Sequence, residues 1–187
     1  MAKEILSNTE QTIIQQTKNW VEEIVIGLNM CPFAERPFQN DAIEYSVNNG
    51  NSMEQHLQQL ADCFARLDSS AKIETSLMIY PDAYQNFDNY LDMLDISNQL
   101  LEDLNYAGTY QIASFHPDYR FEDSAEDDAS NFSNRSPYPM LHLIRESGLE
   151  KAIASYPDVE QIPENNIKKL QQIGYKEMQE KLKNITA

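Results

Sequence analysis

The stretch SFHPDYRFEDSAEDDASNFSNRSPYPMLHLIR, Ser114 to Arg145, holds two of the chain's three histidines and three of its five arginines. Its first residues, through Phe115, read as the end of a strand, and its last, from Tyr138, as a short helix. The acidic segment between them is longer than the ~12–15 residues beyond which a structureless loop in a compact domain is usually functional or disordered. His116-Pro117-Asp118-Tyr119-Arg120 offers an imidazole, a carboxylate, a phenol and a guanidinium in five residues. A histidine beside a carboxylate can be tuned for proton transfer, whereas Asp118 capping a turn is the structural alternative. Glu122, Asp123, Glu126, Asp127 and Asp128 read as a solvated acidic run without the spacing of a calcium loop, and the loop from Glu122 to Asn131 as mobile. Further on, Ser136 suits an N-cap and Pro137 the first helical position. In that helix Tyr138, His142 and Arg145 form one polar stripe, with Met140, Leu141, Leu143 and Ile144 on the other sides. Such a stripe with Asn134 and Arg135 before it suits an anion-binding wall, because arginine meets a carboxylate or phosphate bidentately. Pairing of Arg145 with an acid of this acidic chain is the competing reading.

Upstream of the stretch, strands and helices alternate. A long helix from Thr9 to Asn29 places Ile13, Trp20, Val21, Ile24 and Leu28 on one side. The loop MCPFAERPF, Met30 to Phe38, carries Cys31, which reads either as a buried structural thiol or as a reactive thiol with Arg36 near it. Ala42–Asn48, Ile73–Tyr80 and Thr109–Phe115 read as strands. Between them lie a helix capped by Ser52, with Leu57, Leu60, Ala61, Phe64 and Leu67 inward, and a helix from Asn86 to Leu104, with Phe87, Tyr90, Leu91, Leu94, Leu101 and Leu104 inward. His56 and Cys63 flank the first of these stripes as a packing edge. Short and long helices close the chain, the last with a kink at Gly174.

This pattern implies one α/β domain over residues 1–187, with a small three-stranded β-α-β-α-β sheet, helices mainly on one face, and N- and C-terminal helices. A ferredoxin-like α+β sandwich is the alternative. The other sheet face would be partly open, or covered by the first helix, the long loop or a second subunit, so a homo-oligomer through an open sheet face is one expectation. If the strands are parallel, His116 leaves the carboxyl end of the third, where open α/β sheets place ligands.

The formal net charge of −16 argues against nucleic acid, whose phosphates must be met by Lys and Arg, and against an anionic membrane surface. No apolar run approaches the ~20 residues of a membrane span, and no signal-like segment opens the chain, so a cytoplasmic protein with reduced thiols is expected. Glycine-rich phosphate loops, Cys-x-x-Cys pairs and His-Glu-x-x-His runs do not occur, which leaves any cofactor open.

Three blocks, GLNMCPFA (Gly27–Ala34), SFHPDYRF (Ser114–Phe121) and NRSPYPMLHLIRE (Asn134–Glu146), resemble the bacterial family DUF1415, a domain of unknown function. The resemblance implies a self-contained bacterial protein. It also places Cys31, His116, Asp118, Arg120, Asn134, Arg135, Tyr138, His142 and Arg145 within family blocks. It brings no activity with it. Two functional readings follow. One is a small enzyme acting on an anionic molecule, with Arg120, Arg135 and Arg145 binding the anion beside Asn134, Tyr138 and His142. His116 paired with Asp118 would be its acid/base, and Cys31 its nucleophile. The other is a non-catalytic ligand- or partner-binding domain in which the same residues form a polar core. A metal site from Cys31, His116, His142 and Asp118 is a weaker third.

Overall fold

The computed structural model describes residues 7–187. Ser7 and Glu10 form a capping box that starts α1 (Asn8–Trp20), because each side chain satisfies the other's free backbone amide. The helix widens into a π-helical turn over Val21–Ile26. Gly27 follows so closely on that turn that a Cβ there would lie 2.5 Å from the Glu23 carbonyl oxygen, which makes glycine the residue that fits. After a short α2 (Glu35–Gln39), β1 (Ile43–Val47), α3 (Met53–Ser69), β2 (Thr75–Ile79), α4 (Phe87–Asp103) and β3 (Tyr110–Phe115) alternate as the spacing predicts. Then come β4 (Met140–Arg145), α5 (Glu146–Ala154), α6 (Ile162–Ile173) and α7 (Tyr175–Thr186), the last two meeting at Gly174 with φ 88°.

The sheet has four strands in the order β1-β2-β4-β3, not three. β1 and β2 are parallel neighbours, while β4 runs antiparallel to both β2 and β3. β1, β2 and β3 therefore do share one direction, with β4 inserted between the last two. Because β1 and β2 lie side by side, the ferredoxin-like alternative, in which a split βαβ unit opens the chain, does not form.

The expected helix from Tyr138 to Arg145 is thus a strand from Met140 onward. Met140, His142 and Ile144 project to one face, in register with Ile79, Leu77 and Thr75, and Leu141, Leu143 and Arg145 project to the other. A strand buried on both faces is apolar on all sides, which is also how a buried helix reads. Both faces are covered, which corrects the expectation of helices mainly on one face; the first helix, one of the coverings expected for the other face, packs there together with α6 and α7. Trp20, Ile24, Leu170 and Met178 pack with Leu77, Ile79 and Met140 on one side. Leu60, Phe64, Tyr90 and Met93 pack with Met78, Leu141 and Leu143 on the other. No helix among the described residues is long and apolar enough to cross a membrane.

Candidate functional site

The residues of the central stretch are distributed through the fold rather than gathered. His116 is fully buried at the end of β3, between the rings of Phe87 and Tyr90. Its Nε2 lies 2.9 Å from the Tyr84 carbonyl, and the Asp118 amide donates to its Nδ1 at 3.0 Å. A carbonyl only accepts and an amide N–H only donates, so the ring is the neutral Nε2–H tautomer with both nitrogens committed. Burial lowers its pKa, against a smaller opposing effect of the Tyr84 carbonyl. Asp118 and Arg120 stand exposed beside it.

Arg135 is 6% exposed yet meets no carboxylate. Its guanidinium donates to the carbonyls of Tyr119 (3.0 Å) and Glu126 (2.9 Å) and to the Tyr175 hydroxyl (3.3 Å), and lies over the rings of Phe132 and Tyr175. It clamps the loop, and the expectation of mobility from Glu122 to Asn131 is corrected for its far end, where Ala129, Ser130 and Asn131 are buried. Asn131 is buried, accepts from the Phe121 amide and Ser124 hydroxyl, and donates to the Ala125 carbonyl, while Ala129 and Phe132 enter the core. Only residues 121–127 remain mainly exposed. Asn134 donates to the Ser114 carbonyl, and the Tyr138 hydroxyl to Gln16 on α1.

His142 and Arg145, expected on one stripe, point to opposite faces of β4. The Thr75 hydroxyl lies 2.6 Å from both the Leu143 carbonyl and His142 Nε2. Its one proton goes to the carbonyl, so Nε2 carries a hydrogen, and burial is what keeps the ring neutral. A sliver of the residue reaches the surface, but protein packs densely around the ring and desolvation lowers its pKa to about 4. Arg145 donates to the Leu67 carbonyl at the end of α3 (2.6 Å) and to the Tyr110 hydroxyl (2.9 Å), which in turn donates to Asp68 (2.6 Å). It fastens α3 to the sheet.

Cys31 sits past the π-helical turn, with the amides of Phe33 and Ala34 partly offsetting the burial that raises its pKa. Its expected cation, Arg36, pairs with Glu74 instead at 2.6 Å. Cys63 is fully buried against Ser76, and burial pushes its pKa up to about 12. Cys31, His116, His142 and Asp118 do not converge, and no group of three or more metal-ligating side chains comes together among the described residues.

A different place combines a cavity with an unsatisfied group. A cleft of about 350 Å³ opens at the carboxyl ends of parallel β1 and β2, between the Asn48–Met53 loop, which leads into α3, and Asp82–Tyr84. Open α/β sheets place ligands in this position. His56, on the first turns of α3, lines it while only 4% exposed. Its Nδ1 lies 2.7 Å from the Tyr84 hydroxyl, which also reaches Met53 Sδ at 3.4 Å. Its Nε2 is buried without a hydrogen-bond partner. The Gly50 backbone lies close enough to raise the ring's pKa somewhat, but makes no bond of acceptable geometry, and burial prevails in lowering it. A Cβ at position 50 would stand 2.6 Å from Cδ2 and 2.8 Å from Nε2, so glycine alone lets the loop lie on the imidazole. Tyr84 adopts φ 58°, a left-handed conformation that is costly for an aromatic residue.

Sequence reasoning took His56 as a packing edge and passed over Tyr84. One available signal was the position of Asn48-Asn49-Gly50 and the Ser52 cap, a strand–turn–helix junction at a strand's carboxyl end. Tyr84 also explains His116. The His116 Nε2–H bond holds the Tyr84 backbone while the Tyr84 hydroxyl orients His56.

Comparison with curated proteins and with solved structures gives no match. Residues 12–180, a span that takes in all three sequence blocks, the cleft and the Tyr84–His116 link, match the family model described as a protein of unknown function (DUF1415), and the chain belongs to the DUF1415 family.

Proposed function

We propose that this protein is a small-molecule-binding α/β protein whose ligand seats in the cleft around His56, that His116 holds the Tyr84 wall of that cleft, and that Arg135, His142 and Arg145 are structural groups elsewhere in the fold. The observation that carries the reading is the partnerless His56 Nε2 at a cleft wall. A buried polar nitrogen without a partner costs about 1–3 kcal/mol, and a ligand that hydrogen-bonds to it recovers that cost. Reaching it requires the Gly50 loop to lift from the ring. His56 is then the hydrogen-bonding group, with Tyr84 setting which nitrogen carries the proton.

The lining favours a neutral or cationic polar ligand. Asn48, Asn49, Asn51, Ser52 and Tyr84 supply donors and acceptors, Asp82 supplies a negative charge, and no Lys or Arg is among the lining residues. An anionic ligand held by Arg120, Arg135 and Arg145 finds no support in the geometry, since Arg135 and Arg145 spend their donors on backbone carbonyls and tyrosine hydroxyls.

A thermal-shift panel tests this, with polyols, primary amides and small amines set against matched carboxylates and phosphates. The expected result is that stabilising compounds come from the neutral or cationic set and that His56→Gln removes their effect. Stabilisation by carboxylates or phosphates that survives His56→Gln and is lost in Arg120→Ala would overturn the proposal.

A further inference from the structure

Helical spacing assigns Leu57, Ala61, Leu91 and Leu104 to the inner faces of α3 and α4, yet Leu91 and Leu104 stand 38% and 39% exposed and Leu57 and Ala61 are only half-buried. The apolar stripes of these two helices are wider than the sheet can cover. Met53, Leu57 and Ala61 recur every four residues along α3, and Leu100 of α4 and Leu104, which caps that helix, share the same spacing. Together they line a groove of about 570 Å³, with Glu54 and Gln58 beside them. Exposed Ile96 extends the α4 stripe one turn further.

The charged residue lining this groove is Glu54, and the basic residue of α3, Arg66, is paired with Glu44. α4 carries Asp88, Asp92, Asp95, Glu102 and Asp103 and no lysine or arginine. A pair of apolar helical stripes with acidic flanks is the receptor half of helix-in-groove recognition, in which an amphipathic helix lays its apolar face between them. Charge complementarity then selects the occupant. We infer that the α3–α4 groove docks an amphipathic helix of a partner protein whose polar face is basic. The same acids oppose an anionic lipid surface as the occupant.

Fluorescence anisotropy with a labelled leucine–lysine amphipathic peptide about four turns long tests this on the full chain. A chain of net charge −16 attracts any cationic peptide, so the deciding variants are Leu104→Asp and Leu57→Asp, each of which adds negative charge. Attraction by charge alone strengthens or holds in them, whereas docking in the groove weakens by at least ~10-fold. Leu104 is exposed, so its replacement leaves the core intact, and Glu54→Lys gives a second reading through the rim, also weakening. Unchanged or tighter binding by Leu104→Asp overturns the inference, as does equal binding of a scrambled peptide of the same composition. Self-association of the protein abolished by Leu104→Asp would assign the groove to a second copy and overturn it as well.

Discussion

Arg145 shows how a residue chosen for chemistry turns out to hold structure. Its guanidinium meets the last turn of α3 through the Leu67 carbonyl, a favourable place for a cation because carbonyls there lack helical partners. Arg145→Ala leaves that carbonyl with only the long bond from the Ser70 amide and removes the donor to the Tyr110 hydroxyl oxygen. It is expected to cost about 2–3 kcal/mol, read from urea denaturation, without changing the response to phosphate. Unaltered stability together with lost anion binding would mean that Arg145 serves a ligand. The thiols divide in the same way. Cys31 is partly exposed, while Cys63 is fully buried in a cluster with Ser76, Glu44 and Arg66. Iodoacetamide at neutral pH should therefore label Cys31 first, as mass spectrometry of timed samples would show. Earlier labelling of Cys63 would contradict its placement. The sequence could reveal that these residues were unusual and concentrated. It could not reveal whether Arg145 faces an acid, a carbonyl or a ligand, because that depends on which turn of α3 the strand meets.

At the scale of elements, the three parallel-running strands and the helices between them were legible, since each has its period and its caps: Ser52 for α3 and Asn86 for α4. β4 was not. Its alternation is masked because both of its faces are buried, and Tyr138, His142 and Arg145 happen to fall at helical spacing. Ser136 and Pro137, which mimic a helix start, instead shape the lead-in: the Ser136 hydroxyl donates to the Tyr138 carbonyl. As a strand bonded on both sides, β4 should exchange its amide hydrogens as slowly as β2. In the preceding loop, amides of Ser130–Asn134 should be protected well beyond those of Glu122–Asp127. Fast exchange across Met140–Arg145 would sink the assignment of a central strand.

For the molecule as a whole, three histidines lie in surroundings that disfavour their charge. His116, His142 and His56 all have folded pKa values below 6.5, with burial the leading cause in each. Between the folded and unfolded values the unfolded chain binds more protons, so stability is complete above about pH 6.5 and falls as pH drops toward 4. His142 alone accounts for about 2–3 kcal/mol of that loss once its residual exposure is allowed for. Denaturation midpoints should decline steadily from pH 7 to pH 4.5, and His142→Gln should flatten the curve. A flat profile in the parent protein would mean that these rings charge freely in the folded state.

The same three histidines give the most direct test of the ligand cleft, because the chain has no others. Long-range proton–nitrogen correlation spectra resolve each imidazole's tautomer and its response to added compounds. At pH 7, His116 and His142 should both appear as neutral Nε2–H rings and stay unchanged when a stabilising neutral or cationic compound is titrated in. The His56 Nε2 signal alone should move, saturating with the same dissociation constant as the thermal shift. A silent His56 with movement at His116 or His142 would contradict the cleft as the binding site and return the ligand to the central stretch.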